Sequence, residues 1–287
     1  MAIPSTVYSD ARPSRDGRMR ANCPFCAERF GKQDSRRSLR IWQGSGWYSC
    51  YRCHARGFAD DAMRARFAAR PVRPSNERRG PPPGFYALAG NEKAETLAEA
   101  WRYVRGRRLS PGVVEAAGVG ACVYGRYAGR VVVPIRGEDG TWHGFSARAL
   151  NPEARLKYLY PSWMERAGML YRAEVLRDPT RADAPVYAVE GVFDALALWP
   201  DAVAFLGSPS PAQVEELAGT DRPVVVLLDG DAHEEGWGLA MLLRVSGVRA
   251  GAVRLPARTD PDEVPRDELE RAARTALESP NAEASLR

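Results

Sequence analysis

Four cysteines in two Cys-x2-Cys pairs constrain this chain more than any other feature. Cys23-Pro-Phe-Cys26 is followed, after 23 residues, by Cys50-Tyr-Arg-Cys53. Each pair presents two thiolates from a tight turn, and two pairs at this separation suit one tetrahedral zinc ion. Two disulfides are the competing arrangement, disfavoured by the cytoplasmic location expected below. A redox Cys-x-x-Cys would not need a second copy. The cysteine-bearing segment of roughly 65 residues is too small to be stable easily on its own, so metal binding would supply folding energy. His54, directly after Cys53, is an alternative ligand, although adjacency favours a bystander. Cys122 lies far off among apolar residues and is expected to be a buried thiol.

Arginine outnumbers lysine heavily, with Lys32, Lys93 and Lys157 the only lysines, and the net charge is +5. GC-rich codon usage explains the choice of arginine but not its distribution. Residues 11–80 are dense in arginine and poor in acid, whereas residues 259–270 are mainly acidic. A basic N-terminal third suits contact with a polyanion, because phosphate neutralisation drives nucleic-acid affinity. Between the cysteine pairs, Arg36, Arg37 and Arg40 lead into a predicted hairpin carrying Trp42, Trp47 and Tyr48 around a Gly-rich turn. Cations interleaved with aromatics suit stacking on unpaired bases. One of the two tryptophans is expected to cover the zinc core and the other to reach a base.

No run approaches the ~18 apolar residues of a membrane span. The segment Met1 to Arg20 is polar and lacks an apolar stretch, so no secretory signal is expected. These features predict a cytoplasmic protein, in a bacterium or in a cell infected by a virus, with no membrane partner. A Gly-x4-Gly-Lys-Ser/Thr phosphate loop is absent from the sequence, which excludes a P-loop motor within it.

The Pro-, Arg- and Gly-rich stretch from Arg70 to Gly84 cannot form a helix interior or a central strand and reads as a semi-rigid linker. Beyond it, residues 94–104 have helical spacing, and residues 129–150 read as a hairpin. From residue 185 the pattern changes. Strands are predicted over 186–189, 202–206, 224–228 and 252–255, with helices over 193–199, 212–218 and 236–245 between them. That alternation predicts a mainly parallel sheet flanked by helices, and so an α/β fold class, α+β for the whole chain.

Carboxylates stand at the C-terminal ends of three of these strands: Glu190 after the first, Asp229 and Asp231 after the third, Asp260 and Asp262 after the fourth. That edge is where open α/β sheets place ligands. Gathered carboxylates repel unless cations bind among them, and hard oxygen ligands favour Mg²⁺ or Mn²⁺. The chemistry this supports is metal-assisted phosphoryl transfer.

These residues resemble a known family. Val189-Glu-Gly-Val-Phe-Asp194, Leu228-Asp-Gly-Asp231 and Asp260-Pro-Asp262 are similar to the TOPRIM domain of primases, topoisomerases and some nucleases. The fuller resemblance, over roughly residues 20–265, is to DnaG-type primases of bacteria and their phage relatives. It adds Trp47-Tyr-Ser-Cys-Tyr-Arg-Cys-His-Ala-Arg-Gly57 in the zinc ribbon and Tyr103-Val-Arg-Gly-Arg-Arg-Leu-Ser110 in a helix motif. It also includes Arg130-Val-Val-Val-Pro-Ile-Arg136 with Gly144-Phe-Ser-Ala-Arg148 as paired strands, and Leu156-Lys-Tyr-Leu159 as the "KYLN" motif, with Tyr160 where the family has Asn.

The resemblance implies a zinc-binding ribbon over 1–68, a linker over 69–84, an N-terminal lobe of the polymerase domain over 85–183, a TOPRIM domain over 184–273 and a polar tail over 274–287. It implies Cys23, Cys26, Cys50 and Cys53 as zinc ligands. Glu190, Asp229 and Asp231 become catalytic residues that bind Mg²⁺ or Mn²⁺, with Asp260 and Asp262 contributing. Arg148, Lys157, Tyr158, Arg130, Trp42 and Trp47 are the expected nucleotide- or template-binding residues. The expected activity is synthesis of short RNA primers from ribonucleoside triphosphates on single-stranded DNA, with a replicative helicase in trans as a further partner. A TOPRIM nuclease and a non-catalytic recombination mediator or replication adaptor are the alternatives. The lobe between the cysteines and the carboxylates argues against both.

Overall fold

The computed structural model describes residues 7, 10–14, 19–41, 47–53, 55–58, 80–137, 139–278 and 284–286. The cysteine-rich segment forms β1 (Arg12–Pro13), β2 (Met19–Ala21), helix α1 (Phe25–Phe30), β3 (Leu39–Ile41), β4 (Trp47–Cys50) and β5 (Arg56–Phe58). The strands make one antiparallel sheet in chain order. Ile41 pairs with Tyr48, so the expected hairpin forms, while its turn lies outside the described residues. Met19, Ala21, Leu39, Ile41, Phe25 and Tyr48 pack around the four cysteines as a core of their own. So few apolar side chains supply little burial energy, which leaves the module dependent on what the thiolates bind.

The middle of the chain builds a second antiparallel sheet with two helices. In chain order these are β6 (Phe85–Ala87), α2 (Ala98–Gly106), α3 (Pro111–Ala116), β7 (Gly120–Cys122), β8 (Arg130–Arg136), β9 (Trp142–Ala149) and β10 (Tyr158–Leu159). The sheet order is β10-β9-β8-β7-β6. Leu97, Ala100, Trp101 and Val104 follow helical spacing and are buried, so α2 lies with its apolar face inward. Ser110 caps α3, its hydroxyl accepting from the Val113 amide, with Pro111 at the first helical position. The predicted hairpin is longer than its apolar runs suggested. β8 packs on both faces, with Val131, Val133 and Ile135 in the main core and Val132 against Phe145 and Ala147.

The last third alternates strand and helix: β11 (Val186–Val189), α4 (Val192–Ala197), β12 (Ala202–Ala204), α5 (Pro211–Ala218), β13 (Val224–Val226), α6 (His233–Val245), β14 (Ala250–Arg254), α7 (Arg266–Glu278) and β15 (Ala284–Ser285). All neighbours pair parallel, in the order β12-β11-β13-β14-β15. Side chains alternate between the two covered faces. Tyr187, Val189, Val225 and Val253 face α4, α7 and the antiparallel lobe; Val186, Ala188, Val224 and Val226 face α5 and α6. One core therefore runs continuously from the lobe into the parallel sheet.

The expected polar tail from residue 274 is corrected by α7, which continues to Glu278 with Ala276 buried, and by β15 beyond it. The helix was inconspicuous because most of its buried face is alanine: Leu269, Ala272, Ala273 and Ala276. It lies so close to β14 that a Cβ on Gly251 would come within 2.5 Å of the Ala276 carbonyl oxygen. Small residues on both surfaces carry this packing and leave little hydrophobic signal in the sequence. No described helix is long and apolar enough to cross a membrane. The expected linker lies mostly outside the described residues, as does His54.

Candidate active site and metal centre

The sheet order fixes where the acidic residues meet. From β11 the chain crosses to β12 on one side, and from β13 it crosses to β14 on the other. The connections diverge, so a crevice opens between the C-terminal ends of β11 and β13. Glu190 directly follows β11, and Asp229 follows β13 by way of Leu227 and Leu228. The Leu227 amide still donates to the Ala188 carbonyl, which carries the pairing up to the crevice.

Gly230 brings in the third acidic segment. Its amide donates to the Thr259 carbonyl, and a Cβ at this position would sit 1.9 Å from the Pro256 carbonyl oxygen. Only glycine allows the Asp229–Asp231 turn and the loop after β14 to come this close. That loop enters a 3-10 turn over Pro261–Glu263, with the Glu263 carboxylate accepting from the Asp260 amide. Asp260 and buried Asp262 are thereby delivered to the same edge.

The electrostatics follow from this placement. Burial, then the charges of Glu190, Asp260, Asp231 and Asp262, push the Asp229 carboxyl up to about 7. Asp194, on α4, is 7% exposed and is held well above the usual carboxylate range by burial and by Asp262, Asp229 and Asp260. One of its oxygens accepts from the Gly191 amide, and the other is buried with no hydrogen-bond partner among the described residues. Asp262 likewise has one buried oxygen without a partner. Buried carboxylate oxygens lacking donors are rare in folded proteins unless a cation or water serves them. Among the described residues only the four cysteines bring three or more possible ligand atoms within 4.8 Å of one another. These carboxylates therefore share an edge without closing a cage, and a hard divalent cation there would take one or two of them and keep water.

One cation of the antiparallel lobe reaches this edge: the Arg107 guanidinium donates to the Asp262 carboxylate. Arg148 lies 4.7 Å from the Tyr158 ring, its cross-strand partner. Lys157 is exposed, with no side-chain partner among the described residues. Arg130 is half-buried and hydrogen-bonded within its lobe. Its guanidinium donates to the carbonyls of Ala147, Leu156 and Lys157, so it ties β9 to the segment carrying Lys157 and is turned toward its own lobe. Tyr160 stacks on Tyr158 and lies beneath the Arg166 guanidinium.

Sequence reasoning assigned no role to two residues of this site. Asp194 stood in a helix, and Arg107 stood in a helix motif 155 residues away from the Asp262 carboxylate it binds. That sequence separation carried no signal.

At the other metal centre the four cysteine sulfurs lie within 4.8 Å of one another. The Cys23–Cys53 and Cys26–Cys50 sulfurs are 3.5 and 3.7 Å apart. A zinc ion at about 2.3 Å from each sulfur would set neighbouring sulfurs about 3.8 Å apart, so the cluster fits tetrahedral zinc. None of the five cysteines is in a disulfide, and Cys122 is buried as expected. Crowding splits the thiols: a hydrogen bond from Cys23 brings Cys50 down to about 5, whereas burial and the neighbouring sulfurs push Cys26 up to about 12. A cation is what would let all four ionise together.

Asp34, unnoticed in the sequence, organises the first knuckle. Its carboxylate accepts from the amides of Cys23, Arg36 and Ser38 and from the Ser38 hydroxyl. Burial alone would raise this carboxyl, but the four donors outweigh it and hold it low. Tyr48 is fully buried and stacks on Phe25, covering the zinc core. Trp42 and the Trp47 side chain lie outside the described residues. Two exposed aromatics of the module each carry an arginine over the ring, Tyr51 with Arg40 and Phe30 with Arg52. Arg40, Ser49 and Tyr51 line a cavity of about 390 Å³ together with Glu190, Asp231 and residues 232–235.

The fold and the site define a class: a four-cysteine zinc ribbon attached to an α/β body whose parallel sheet ends in a carboxylate-lined crevice. Within that class, the fold is that of the zinc-binding and RNA polymerase domains of DnaG-type DNA primases. The Aquifex aeolicus primase structure containing both domains matches 96% of this chain and 81% of its own, with a TM-score of 0.53 and 20% identity. A DnaG catalytic domain bound to single-stranded DNA matches 67% of this chain and 73% of its own, with a TM-score of 0.54 and 24% identity. Among curated proteins, the DNA primase of Myxococcus xanthus is 32% identical over 183 residues, or 58% of this chain. The DNA primase of Deinococcus radiodurans is 27% identical over 223 residues, or 74% of this chain. The chain spans 29% and 38% of the length of these two relatives. No protein-family model matches it.

Proposed function

We propose that this chain is a primase that synthesises short RNA primers on single-stranded DNA during replication. The supporting observation is the convergence of three elements on one crevice. These are the carboxylates after β11, β13 and β14, Arg107 of the antiparallel lobe bonded to Asp262, and the cavity that Glu190 and Asp231 share with the zinc module. A nuclease needs the carboxylates alone. The other two elements suit an enzyme that must hold a template, a nucleotide and a growing strand together.

In this reading Glu190, Asp229 and Asp231 hold Mg²⁺ or Mn²⁺, with Asp260 and Asp262 contributing, and Cys23, Cys26, Cys50 and Cys53 hold zinc. The divalent cation supplies Lewis-acid stabilisation of the attacking and leaving oxygens. The chain's residues do the rest. The 3′-hydroxyl oxygen of one ribonucleotide bonds to the α-phosphorus of the next, its proton passes to water, and the bond to pyrophosphate breaks. Arg148 and Lys157 neutralise the triphosphate, and the Tyr158 ring supports the Arg148 guanidinium 4.7 Å away. Arg40, Tyr51, Arg52 and Phe30, with Trp42 and Trp47, give the zinc module cations and rings for template bases. Template copying in replication belongs to the cytoplasm, with a replicative helicase as a partner in trans.

The test is primer synthesis on single-stranded DNA with ribonucleoside triphosphates and Mg²⁺. Product is expected from the wild type and none from an Asp229→Ala, Asp231→Ala double variant. Full product from that variant would refute the mechanism. DNA nicking without nucleotides would point to a nuclease, and DNA binding indifferent to Mg²⁺ and nucleotides to a mediator.

A further inference from the structure

The guanidinium of Arg107, just past the end of α2, reaches across from the antiparallel lobe to the acidic edge. One of its nitrogens donates to one Asp262 carboxylate oxygen, and the Asp262 side chain in this pair is almost fully buried, at 2% exposure. The guanidinium packs against two rings, its centre 5.7 Å from the Tyr103 ring and 5.6 Å from the Phe193 ring. Those rings meet edge to face at 5.4 Å, one from α2 and the other from the helix that begins beside Glu190. A flexible side chain thus rests on a pair of rings from two parts of the fold.

The consequence falls on Asp262. With one oxygen committed to Arg107, the carboxylate cannot rotate freely, and its second oxygen is buried with no donor among the described residues. An Asp194 oxygen in the same cluster is also buried without a donor. A lone structural ion pair would satisfy both carboxylate oxygens or expose one to water. Here one is fixed, and the other is left without a donor among the described residues.

We infer that Arg107 is a positioning residue, which acts through Asp262 to hold an open carboxylate oxygen at the divalent-cation site. This rests on the reading that the acidic edge binds Mg²⁺ or Mn²⁺. The arrangement parallels the general rule that groups hydrogen-bonded to metal ligands orient them and tune their affinity.

The sign of one measurement separates positioning from simple charge. Removing a positive charge beside a cation site should tighten cation binding by electrostatics alone. Removing a positioning group should weaken it. Mn²⁺ binding to the zinc-loaded full chain, followed by electron paramagnetic resonance of free Mn²⁺, is the assay, with zinc content and melting temperature measured alongside.

Arg107→Met is expected to weaken Mn²⁺ binding about tenfold. Arg107→Gln, which keeps a donor for Asp262 but no charge, is expected to stay within about threefold of wild type, and it keeps the test open if Arg107→Met does not fold. In an Asp262→Asn background, Arg107→Met is expected to have no further effect. Binding by Arg107→Met as tight as wild type or tighter would overturn the inference. So would equal losses in the Met and Gln variants, or a full Met effect without Asp262. A wild-type chain that binds no Mn²⁺ would instead refute the reading of the acidic edge, and this inference with it.

Discussion

Replacing Asp229 by Asn should stabilise the cation-free protein, the reverse of what removing a charged residue from a binding site usually does to a fold. The Asp229 carboxyl rises from 3.8 to about 7, first through burial and then through the neighbouring acids. The folded state therefore holds this proton more tightly than the unfolded chain does. Its contribution to stability is fully present below about pH 4 and is lost as pH rises toward 7. Roughly three pKa units at about 1.36 kcal/mol each would be ~4 kcal/mol. Asp229 is only partly buried, so solvent screening reduces this to about 2 kcal/mol. For a chain of this size that corresponds to a rise of about 4 °C in melting temperature.

The measurement is thermal unfolding of wild type and Asp229→Asn, zinc-loaded, without Mg²⁺, between pH 5 and pH 8. The advantage of the variant should be small at pH 5, grow toward pH 7 and then level off. Excess Mn²⁺ should reverse the order, because the wild type gains stability from binding and the variant loses a ligand. A variant that is less stable at every pH, or a difference that ignores pH, would refute the claim that crowded carboxylates strain this edge.

Gly230→Ala should destabilise the chain by about 1–3 kcal/mol through overpacking against the Pro256 carbonyl. It should weaken Mn²⁺ binding while leaving zinc content intact, as metal analysis and calorimetry would report; unchanged Mn²⁺ affinity would exclude this contact as the hinge of the site. Asp34→Ala strips four donors of their acceptor and should raise the zinc concentration needed to fold the module. Chelator titration followed by Tyr and Trp fluorescence measures that shift, and an unaltered midpoint would reduce Asp34 to a bystander. Cys26→Ser should lower zinc content well below one ion per chain without reducing Mn²⁺ affinity at the acidic edge, which dialysis and elemental analysis can separate.

Some of the structure was legible in the sequence because the physical rule is local. Two Cys-x2-Cys pairs define a tetrahedral site through short turns, whatever surrounds them, and the four sulfurs gather as the spacing implied. Buried parallel strands are continuous apolar runs, so β11 was placed to the residue, while β14 begins two residues earlier than its pattern suggested because Ala250 and Gly251 carry little hydrophobic weight. The same weakness hid α7, whose buried face is mostly alanine.

Strand ends bearing Glu190, Asp229 and Asp260 were readable one at a time, as a polar residue following each apolar run. Tertiary structure alone decided their meeting. It set the strand order that opens the crevice at β11 and β13 and the close approach that only Gly230 permits. It also turned Arg130 inward onto three carbonyls and sent Arg107 out to Asp262, a partner 155 residues away. Local periodicity carries no information about which distant side chains share a cavity, because packing of the whole core sets those distances.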